Sequence, residues 1–480
     1  MNILMVSGEA LPFSKTGGLA DVVTSLSEEF VKKGHNVSIV VPYYKNSNLK
    51  KSKKPEKLMD LRVTMNWRNP TAEIYHVVWS GIDYFLIKND QYFNRDGMYG
   101  YFDDGERFAF FALAAIELMK KLPFSIDICH VHDWQAGMIP CLLKEKYRDD
   151  KLLGHIKTVL TIHNPLFKGF FNKDSLFDLY NLNVDIYNNG RVRFEDQVST
   201  LKAAIAYSDK ITTVSPTHSY ELTTIEGSKG LWYELTLRQQ DFVGILNGMN
   251  TSEFNPKKDT LIAKKFSSTS VEEGKLANKK AFCEENGLNP ELPLFAVVSR
   301  LSDQKGLDLI FAMAEFVSNE GGNFALVGSG EQYAEEFFKE LKRRNPKHNY
   351  IFIGYNDEAA HKCYAASDFF IMPSAFEPCG LGQMIAQAYG SLPIVRRTGG
   401  LKDTVISYDT NERNYKIANG IAFDGYSVTD AIQACAKALL LYYNNNDILH
   451  KIRVNCMRTD HSWSTSADKY LDLYTQILPK

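Results

Sequence analysis

Residues 1–42 read MNILMVSGEALPFSKTGGLADVVTSLSEEFVKKGHNVSIVVP and place an amphipathic segment between two apolar runs. The apolar runs, Ile3–Val6 and Val37–Val41, are short and rich in strand-forming residues. Between them, Ala20–Lys33 repeats its apolar residues at helical spacing and ends at Gly34, a residue typical of helix ends. This order predicts a strand, a helix and a second strand that runs parallel to the first.

The same alternation of strands and helices continues along the chain. Further strands are predicted at 75–79, 84–87, 126–131, 158–162, 211–214 and 243–246, with helices at 105–121, 134–147 and 197–208. After a polar segment, a helix is predicted at 275–286, strands at 294–299, 324–327, 350–353, 369–372 and 394–395, and helices at 306–318, 330–344, 358–366 and 380–389. Apolar strands that alternate with helices are typical of parallel sheets covered on both faces. The sequence therefore predicts an α/β fold with two doubly wound, Rossmann-like domains, divided near 245–255.

The composition is typical of a globular protein from a reducing compartment. The 480 residues include 55 Lys and Arg against 57 Asp and Glu, and a net charge of −2 argues against a nucleic-acid-binding protein. The 7 cysteines form no C-x-x-C pattern. The longest uninterrupted apolar stretch, 108–116, is shorter than the roughly 18–20 residues that span a membrane. We expect a soluble, cytoplasmic protein without nucleic-acid or membrane partners.

One local basic run departs from this charge balance. Lysines stand at positions 45, 50, 51, 53, 54 and 57. A solvated loop is the simpler interpretation of this run, and a lid or a surface for anionic partners is the functional alternative.

Two predicted loops combine glycines with lysine or arginine. The first, Ser14–Asp21, reads SKTGGLAD; its glycines let the backbone approach a ligand closely, and Lys15 adds a positive charge. The second, Ser299–Gly306, reads SRLSDQKG and follows a strand, at the sheet edge where open α/β sheets bind ligands. Its cations, Arg300 and Lys305, suit a diphosphate, although two surface charges would give the same pattern.

A third loop, Pro373–Gly382, reads PSAFEPCGLG and places an acid before a glycine-rich helix start. Glu377 stands beside a proline, so its carboxylate has little freedom. The amides of Gly380–Gly382 are expected to face a ligand oxyanion. The structural alternatives are that Glu377 caps the helix and that Cys379 is a small packing residue.

Two neighbouring predicted strands end in polar side chains. His130, His132 and Asp133 follow one strand and His163 follows the other. Alternation along the strand points His130 and His132 to the same side, which permits metal ligation. A metallohydrolase is therefore an alternative function. The chain contains no Asp-x-Asp, the simplest carboxylate pair for a metal–diphosphate complex, so cationic side chains would have to neutralise a bound nucleoside diphosphate.

Taken together, these motifs resemble the bacterial glycogen synthases and plant starch synthases. The matching segments, in chain order, are KTGGLADV at 15–22, HDW at 132–134, SPT at 215–217, GILNG at 244–248, RLSDQKG at 300–306, FEPCGL at 376–381 and RRTGGL at 396–401. The resemblance implies a GT-B fold with two Rossmann-like domains, 1–248 and 249–460, facing across a cleft. It also implies that a helix in 461–480 crosses back to the first domain.

The resemblance further implies an activity and its substrates. The family transfers glucose from ADP-glucose to the 4-hydroxyl at the non-reducing end of an α-1,4-glucan such as glycogen or a maltooligosaccharide. It retains the anomeric configuration and needs no metal or other cofactor, in keeping with the missing Asp-x-Asp.

Site residues follow from the resemblance by position. It implies catalytic roles for Asp133, His163, Arg300, Lys305 and Glu377. It implies donor contacts from Lys15, Gly18, Asp21, Arg300, Lys305, Cys379, Gly380, Leu381, Thr398 and Gly399, and acceptor contacts from Trp134 and Asn247. The chain departs from the family pattern at Ala375, at Gly382 and in 165–169, and these departures leave the predicted diphosphate cations in place.

Two other classes of function stay open on the sequence. A glucan-binding protein without turnover would need a broken set of diphosphate cations, and the sequence shows none. The metallohydrolase would use His130, His132 and His163. Within the transferase, ADP-glucose is preferred to UDP-glucose by resemblance only, and retention can follow from attack on the leaving-group side or from a double displacement through Glu377.

Overall fold

The structure is a computed structural model in which residues 1–48, 54–411 and 413–479 are described. The chain divides into two compact units: unit 1 is Met1–Gly248 with Trp463–Lys480, and unit 2 is Met249–Ser462. Among the described residues, every helix is too short or too polar to span a lipid bilayer.

Unit 1 contains two sheets and the helices that cover them. Its strands are β1 (Asn2–Val6), β2 (Asn36–Pro42), β3 (Glu56–Arg62), β4 (Thr71–Trp79), β5 (Ile82–Lys88), β6 (Ile128–His132), β7 (Lys157–Ile162), β8 (Phe170–Phe171), β9 (Arg193–Phe194), β10 (Gln197–Ser199), β11 (Lys210–Thr213) and β12 (Phe242–Gly244). Its helices are α1 (Gly18–Lys32), α2 (Asp90–Phe93), α3 (Asp104–Met119), α4 (Met138–Glu145), α5 (Ser175–Tyr180), α6 (Asp185–Asn188), α7 (Thr200–Tyr207), α8 (Pro216–Glu221) and α9 (Trp232–Leu237), followed at the end of the chain by Trp463–Ile477. The large sheet has the order β12-β11-β7-β6-β1-β2-β5-β4-β3, and the small one the order β8-β10-β9.

One edge of the large sheet is antiparallel, so the prediction of an all-parallel sheet is wrong there. β4 pairs with β5 and with β3 in antiparallel register. Ser80 and Gly81, between β4 and β5, have φ angles of 52° and 78°, the geometry of a two-residue hairpin turn. A parallel connection needs a crossover of a dozen or more residues, and this loop is far shorter.

Three further local predictions need correction. Lys57 lies in the edge strand β3, so the basic run is not a loop throughout, and the lysines at 50, 51 and 53 lie outside the described residues. The predicted helix 197–208 is a strand, β10, followed by α7, and Ser199 caps that helix by accepting from the N–H of Lys202. The predicted helix 134–147 begins with a 3₁₀ turn, Trp134–Ala136, before α4.

The central strands of unit 1 are buried on both faces. In β1, Leu4 and Val6 join the cluster that contains the buried residues of α3, whereas Ile3 and Met5 join the cluster that contains α1. This alternation is the period of a strand. The second cluster also contains buried aromatic residues of the C-terminal helix Trp463–Ile477, which completes the cover of that face.

Unit 2 is a single parallel sheet between helices. Its strands are β13 (Leu294–Val298), β14 (Asn323–Gly328), β15 (Asn349–Ile353), β16 (Phe369–Met372), β17 (Leu392–Arg396) and β18 (Ile421–Phe423). Its helices are α10 (Val271–Asn286), α11 (Leu307–Asn319), α12 (Gln332–Arg344), α13 (Asp357–Ala366), α14 (Gly382–Ala388), α15 (Gly399–Thr404), α16 (Val428–Asn444) and α17 (Asn446–Arg458), and the C-terminal helix of unit 1 is therefore α18. The order β15-β14-β13-β16-β17-β18 is parallel throughout, so all six carboxyl ends meet at one edge.

Candidate functional site

In unit 2, Lys305 and Glu377 form a buried ion pair at the carboxyl edge of the sheet. Nζ of Lys305 lies 2.5 Å from Oε2 of Glu377, and the hydroxyl of Ser374 donates to the same oxygen over 3.1 Å. The Glu377 side chain is only 7% exposed. A buried carboxylate requires partners of this kind because desolvation penalises its charge. The structure thus brings together two predicted residues from separate loops.

Backbone contacts hold these two loops together. The N–H of Ala375 donates to the carbonyl oxygen of Gln304 over 3.0 Å, and the Gln304 amide donates to the carbonyl oxygen of Phe376 over 3.2 Å. Gly306 has a φ of 74°, and a Cβ on it would lie 2.5 Å from the carbonyl oxygen of Pro373. The glycine therefore allows the Lys305 loop to approach the Glu377 loop.

The glycines after β17 pack on the Glu377 loop from another side. The N–H of Gly400 donates to the carbonyl oxygen of Glu377 over 3.1 Å. A Cβ on Gly399 would lie 2.0 Å from that oxygen, so only glycine fits there. The preceding Thr398 is buried. In this loop the glycines permit close packing within the protein.

The other predicted donor residues of unit 2 differ in exposure. Arg300 is exposed and Cys379 is buried. Gly380 and Leu381 precede α14, so the predicted helix 380–389 is shorter at both ends. The Gln383 amide donates to the carbonyl oxygens of Cys379 and Gly380 over 3.1 Å each and fixes the turn before the helix.

In unit 1, Glu9 holds the loop that contains Lys15. Its carboxylate accepts from the N–H and from the hydroxyl of Thr16 over 2.5 Å each, and from the hydroxyl of Tyr99 over 3.0 Å. Glu9 is buried. Our sequence predictions missed this residue, although an acid three residues after a buried strand is a recognisable signal.

The two glycines of this loop are less tightly packed than the glycines after β17, and Lys15 forms an ion pair beside them. Nζ of Lys15 lies 2.9 Å from Oδ1 of Asp21. Burial raises the pKa of Asp21, and the charge of Lys15 opposes that rise. A Cβ on Gly17 or Gly18 would meet no atom within 4 Å. This part of the loop is therefore open to a ligand, unlike the tightly packed Gly399.

Asp133 and His163 meet at the ends of β6 and β7. Oδ1 of Asp133 accepts from the N–H of His163 over 2.7 Å and from the N–H of Asn164 over 3.4 Å. Burial raises the pKa of Asp133 to about 7, and these two hydrogen bonds oppose the rise. Asp133 has a φ of 53°, so the chain turns sharply as it leaves the strand.

The three histidines named for the metal alternative bond to protein groups. His130 Nδ1 lies 2.6 Å from the hydroxyl of Tyr474, and its Nε2 lies 2.6 Å from that of Thr161. His132 Nδ1 lies 3.0 Å from His163 Nε2. Within residues 1–48, 54–411 and 413–479, no three His, Cys, Asp or Glu side chains are grouped to hold a metal ion. The geometry therefore offers the metallohydrolase no ligand set there.

Of the two predicted acceptor residues, Trp134 is partly buried and Asn247 is buried. The ring of Trp134 packs against Phe108, with 4.8 Å between ring centroids, at the edge of the core. Asn247 follows β12, and its N–H donates to the carbonyl oxygen of Val214 over 3.3 Å. Its side-chain Oδ1 is buried and bonds to no group of the described chain.

Comparison with known families matches nearly the whole chain. A family model described as starch synthase catalytic domain matches residues 2–236, and one described as glycosyl transferases group 1 matches residues 278–453. A glycogen synthase from Clostridium botulinum (strain Eklund 17B / Type B) is 41% identical over 480 residues, which cover 99% of each chain. A glycogen synthase from Streptococcus mutans is 40% identical and covers 99% of this chain and 100% of its own.

Solved structures with the same architecture also resemble the chain. The catalytic domain of starch synthase IV from Arabidopsis thaliana, bound to ADP and acarbose, has a TM-score of 0.92 at 32% identity and covers 99% of this chain and 98% of its own. A sucrose-phosphate synthase from Thermosynechococcus elongatus has a TM-score of 0.60 at 16% identity, with the same coverage, and shares the fold alone.

Proposed function

Because this chain belongs to the family of glycogen synthases and starch synthases, we propose that it transfers glucose from ADP-glucose to the 4-hydroxyl at the non-reducing end of an α-1,4-glucan. The chain has the two-unit Rossmann-like fold of GT-B glycosyltransferases. The observation that carries the proposal is the Lys305–Glu377 pair, because it places a cation and an acid of the family motifs in contact at the carboxyl edge of a sheet.

The diphosphate of the donor is assigned to two cations, Lys305 and Arg300, at the carboxyl edge of the sheet of unit 2. The Lys305 ammonium has three N–H donors, of which one points to Glu377, so others can bind phosphate oxygens. Arg300 is exposed at the end of β13 and supplies the second cation. The proposal also assigns donor contacts to Lys15, Gly18, Asp21, Cys379, Gly380, Leu381, Thr398 and Gly399.

The base of the donor has a candidate partner that our sequence predictions missed. Tyr355 follows β15 at the same sheet edge, and the residue is 79% exposed. An exposed aromatic ring offers a face for stacking on a base. We assign Tyr355 to the adenine of the donor.

The sugar and the glucan are assigned to unit 1. Asp133 and His163 are proposed to hold sugar hydroxyls, and Trp134 and Asn247 to line the path of the acceptor. The open loop at Gly17 and Gly18 supports close approach of a ligand.

The chemistry that follows is a single displacement with retention. The bond between the anomeric carbon and the terminal phosphate oxygen of ADP breaks, and its electron pair stays on that oxygen. The acceptor 4-hydroxyl bonds to the same carbon from the leaving-group side and gives its proton to the departing phosphate. Lys305 and Arg300 stabilise the growing negative charge.

Glu377 is better suited to stabilise positive charge than to attack. Two donors, Lys305 and Ser374, bond to its Oε2, which lowers the nucleophilicity of the carboxylate. This contact supports front-side attack over a double displacement. The proposal includes no metal ion, because Lys305 and Arg300 are assigned to supply the positive charge that a diphosphate requires.

The direct test is a transfer assay. The protein is mixed with glycogen and either ADP-glucose or UDP-glucose, with EDTA present, and release of ADP or UDP is followed. We expect ADP release with elongation of the glucan, and an α-linkage in the product by proton NMR. The Arg300→Ala variant tests the donor site. Because the Arg300 side chain is exposed, its removal leaves no buried group without a partner.

Other outcomes point to other functions. A strict requirement for a metal ion would contradict metal independence, and faster UDP release would reassign the donor. Glucan binding without any turnover would favour the binding protein.

A further inference from the structure

We propose that His132 sets the tautomer of His163, so that Nδ1 of His163 carries the proton and donates to a hydroxyl of the bound sugar. The sugar contact rests on the proposed function, whereas the tautomer is a property of the free protein. His132 is buried and does not reach the site itself, so it acts as a positioning residue.

A directed hydrogen-bond chain first fixes the neighbouring His130. The Thr212 hydroxyl donates its single proton to the carbonyl oxygen of Leu160 over 3.2 Å, so across their 2.6 Å contact Thr161 donates to Thr212. Thr161 must then accept from Nε2–H of His130. His130 Nδ1, the unprotonated nitrogen, accepts from the Tyr474 hydroxyl.

His130 in turn holds the ring of His132. The two imidazoles are stacked, with 4.3 Å between centroids and 28° between planes. Both rings are buried, and burial lowers the pKa of His130 to about 3 and that of His132 well below its usual value. The rings are therefore neutral, and each carries one N–H.

The environment of His132 decides where its proton lies. Nδ1 of His132 is 3.0 Å from Nε2 of His163, while Nε2 of His132 is buried and bonds to no group of the described chain. A buried N–H without an acceptor is rarer in proteins than a buried acceptor without a donor. The proton therefore lies on Nδ1 of His132, which donates to Nε2 of His163.

The consequence for His163 is a single outward-facing donor. Burial lowers the pKa of His163 to about 3, so its ring is neutral and carries its proton on the other nitrogen, Nδ1. That nitrogen bonds to no group in the part of the chain that the structure describes, and His163 is only partly buried. An N–H at this place can donate to a sugar oxygen, whereas the other tautomer could only accept.

Nuclear magnetic resonance of the full-length protein tests the tautomer directly. Histidine labelled with ¹⁵N shows in long-range ¹H–¹⁵N spectra which ring nitrogen is protonated, and the His163→Gln variant assigns the signals of His163. We expect Nδ1–H for His163 in the free wild-type protein at pH 7. A protonated Nε2 would overturn the proposal, whatever the activity of the enzyme.

Two substitutions of His132 separate positioning from packing. Asn keeps an N–H close to the place of Nδ1, so His132→Asn should preserve the Nδ1–H tautomer of His163. Asp has the shape of Asn but offers only acceptors at that place, so His132→Asp should put the proton on Nε2 of His163. An unprotonated Nε2 of His163 in a folded His132→Asp protein would contradict the proposal; if this variant does not fold, the wild-type spectrum decides.

Kinetics then connect the tautomer to the sugar. We expect kcat/KM to fall about tenfold in His132→Asp, the effect of one lost hydrogen bond, and to stay within about threefold of wild type in His132→Asn. The double variant His132→Asp/His163→Gln should lose no more than His163→Gln alone, because both changes remove the same contact. Additive losses would overturn the proposal, and absence of transfer by the wild type would instead reject the proposed function.

Discussion

At the scale of single residues, burial gives Asp133 a pKa near neutrality. The raised pKa of about 7 means that the folded state binds this proton more tightly than the unfolded chain, where an Asp titrates near 3.9. The contribution to stability is therefore fully present below about pH 4 and is lost as the pH rises to about 7. Asp133 remains in place because its oxygen still satisfies two backbone N–H groups.

We predict that Asp133→Asn changes the pH dependence of stability in this window. Asn keeps an acceptor oxygen for the N–H of His163 but cannot ionise. The melting temperature of the variant relative to wild type should rise from pH 4 to pH 7 and then stay level, as followed by circular dichroism. A constant difference across that range would show that Asp133 does not titrate as stated.

Lys305 forms the buried ion pair with Glu377, and we propose that it also stabilises charge on the departing diphosphate. We predict that Lys305→Ala lowers kcat by about 10²–10³, the usual loss for one group that stabilises a developing oxyanion. Because the variant leaves Glu377 buried without its cation, the melting temperature should fall as well.

A matched control distinguishes these effects from a general loss of charge. Lys402→Ala removes an exposed lysine of unit 2 and should leave both rate and melting temperature close to wild type. A loss of less than threefold in Lys305→Ala would contradict the donor assignment.

At the scale of elements, the turn before α11 brings two loops into contact. Gly306 combines a left-handed backbone with a close approach to Pro373, whereas Gly287, after α10, is left-handed but faces open space. A comparison of Gly306 with Gly287 therefore separates the cost of a left-handed backbone from the cost of steric contact.

We predict that Gly287→Ala costs about 1 kcal/mol of unfolding free energy and that Gly306→Ala costs at least twice as much. The measurement is denaturant unfolding, with kcat for the activity. Gly306→Ala should also lower kcat because it displaces Lys305, whereas Gly287→Ala should not. Equal losses in both variants would mean that the two loops are not held by this contact.

At the scale of the whole molecule, the last helix of the chain belongs to the first unit. Trp463, Tyr470 and Tyr474 of α18 are buried in one cluster with Phe30 of α1, and the rings of Phe30 and Tyr474 lie 5.6 Å apart. Unit 1 is therefore complete only when α18 has packed against it.

We predict that a chain ending at Ser462 loses the stability of unit 1. Limited proteolysis should cut within 1–248 and leave 249–462 protected, and a chain ending at Leu478 should behave as wild type. If the truncated chain is insoluble, Trp463→Ala gives the same test, with an expected loss of about 3–5 kcal/mol. Equal protease resistance of the long and truncated chains would contradict the assignment of α18.

The repeated α/β elements follow from the amino-acid sequence alone, and so do the positions of the loops that contain Lys305 and Glu377. Apolar runs and helical spacing are local signals, so most central strands lie close to where they were predicted. The family motifs gave Lys305 and Glu377 in the same way, because each lies in a short recognisable segment after a strand.

Strand direction, side-chain contacts and the positions of protons depend on the tertiary structure. The antiparallel β4–β5 edge depends on the turn at Ser80 and Gly81, which the strand pattern does not report. Lys305 and Glu377 are 72 positions apart, and His132 and His163 are 31 apart, so no local pattern shows that they touch. Hydrogen bonds and pKa values depend on distance and burial in space, which the chain acquires only when its sheets have assembled.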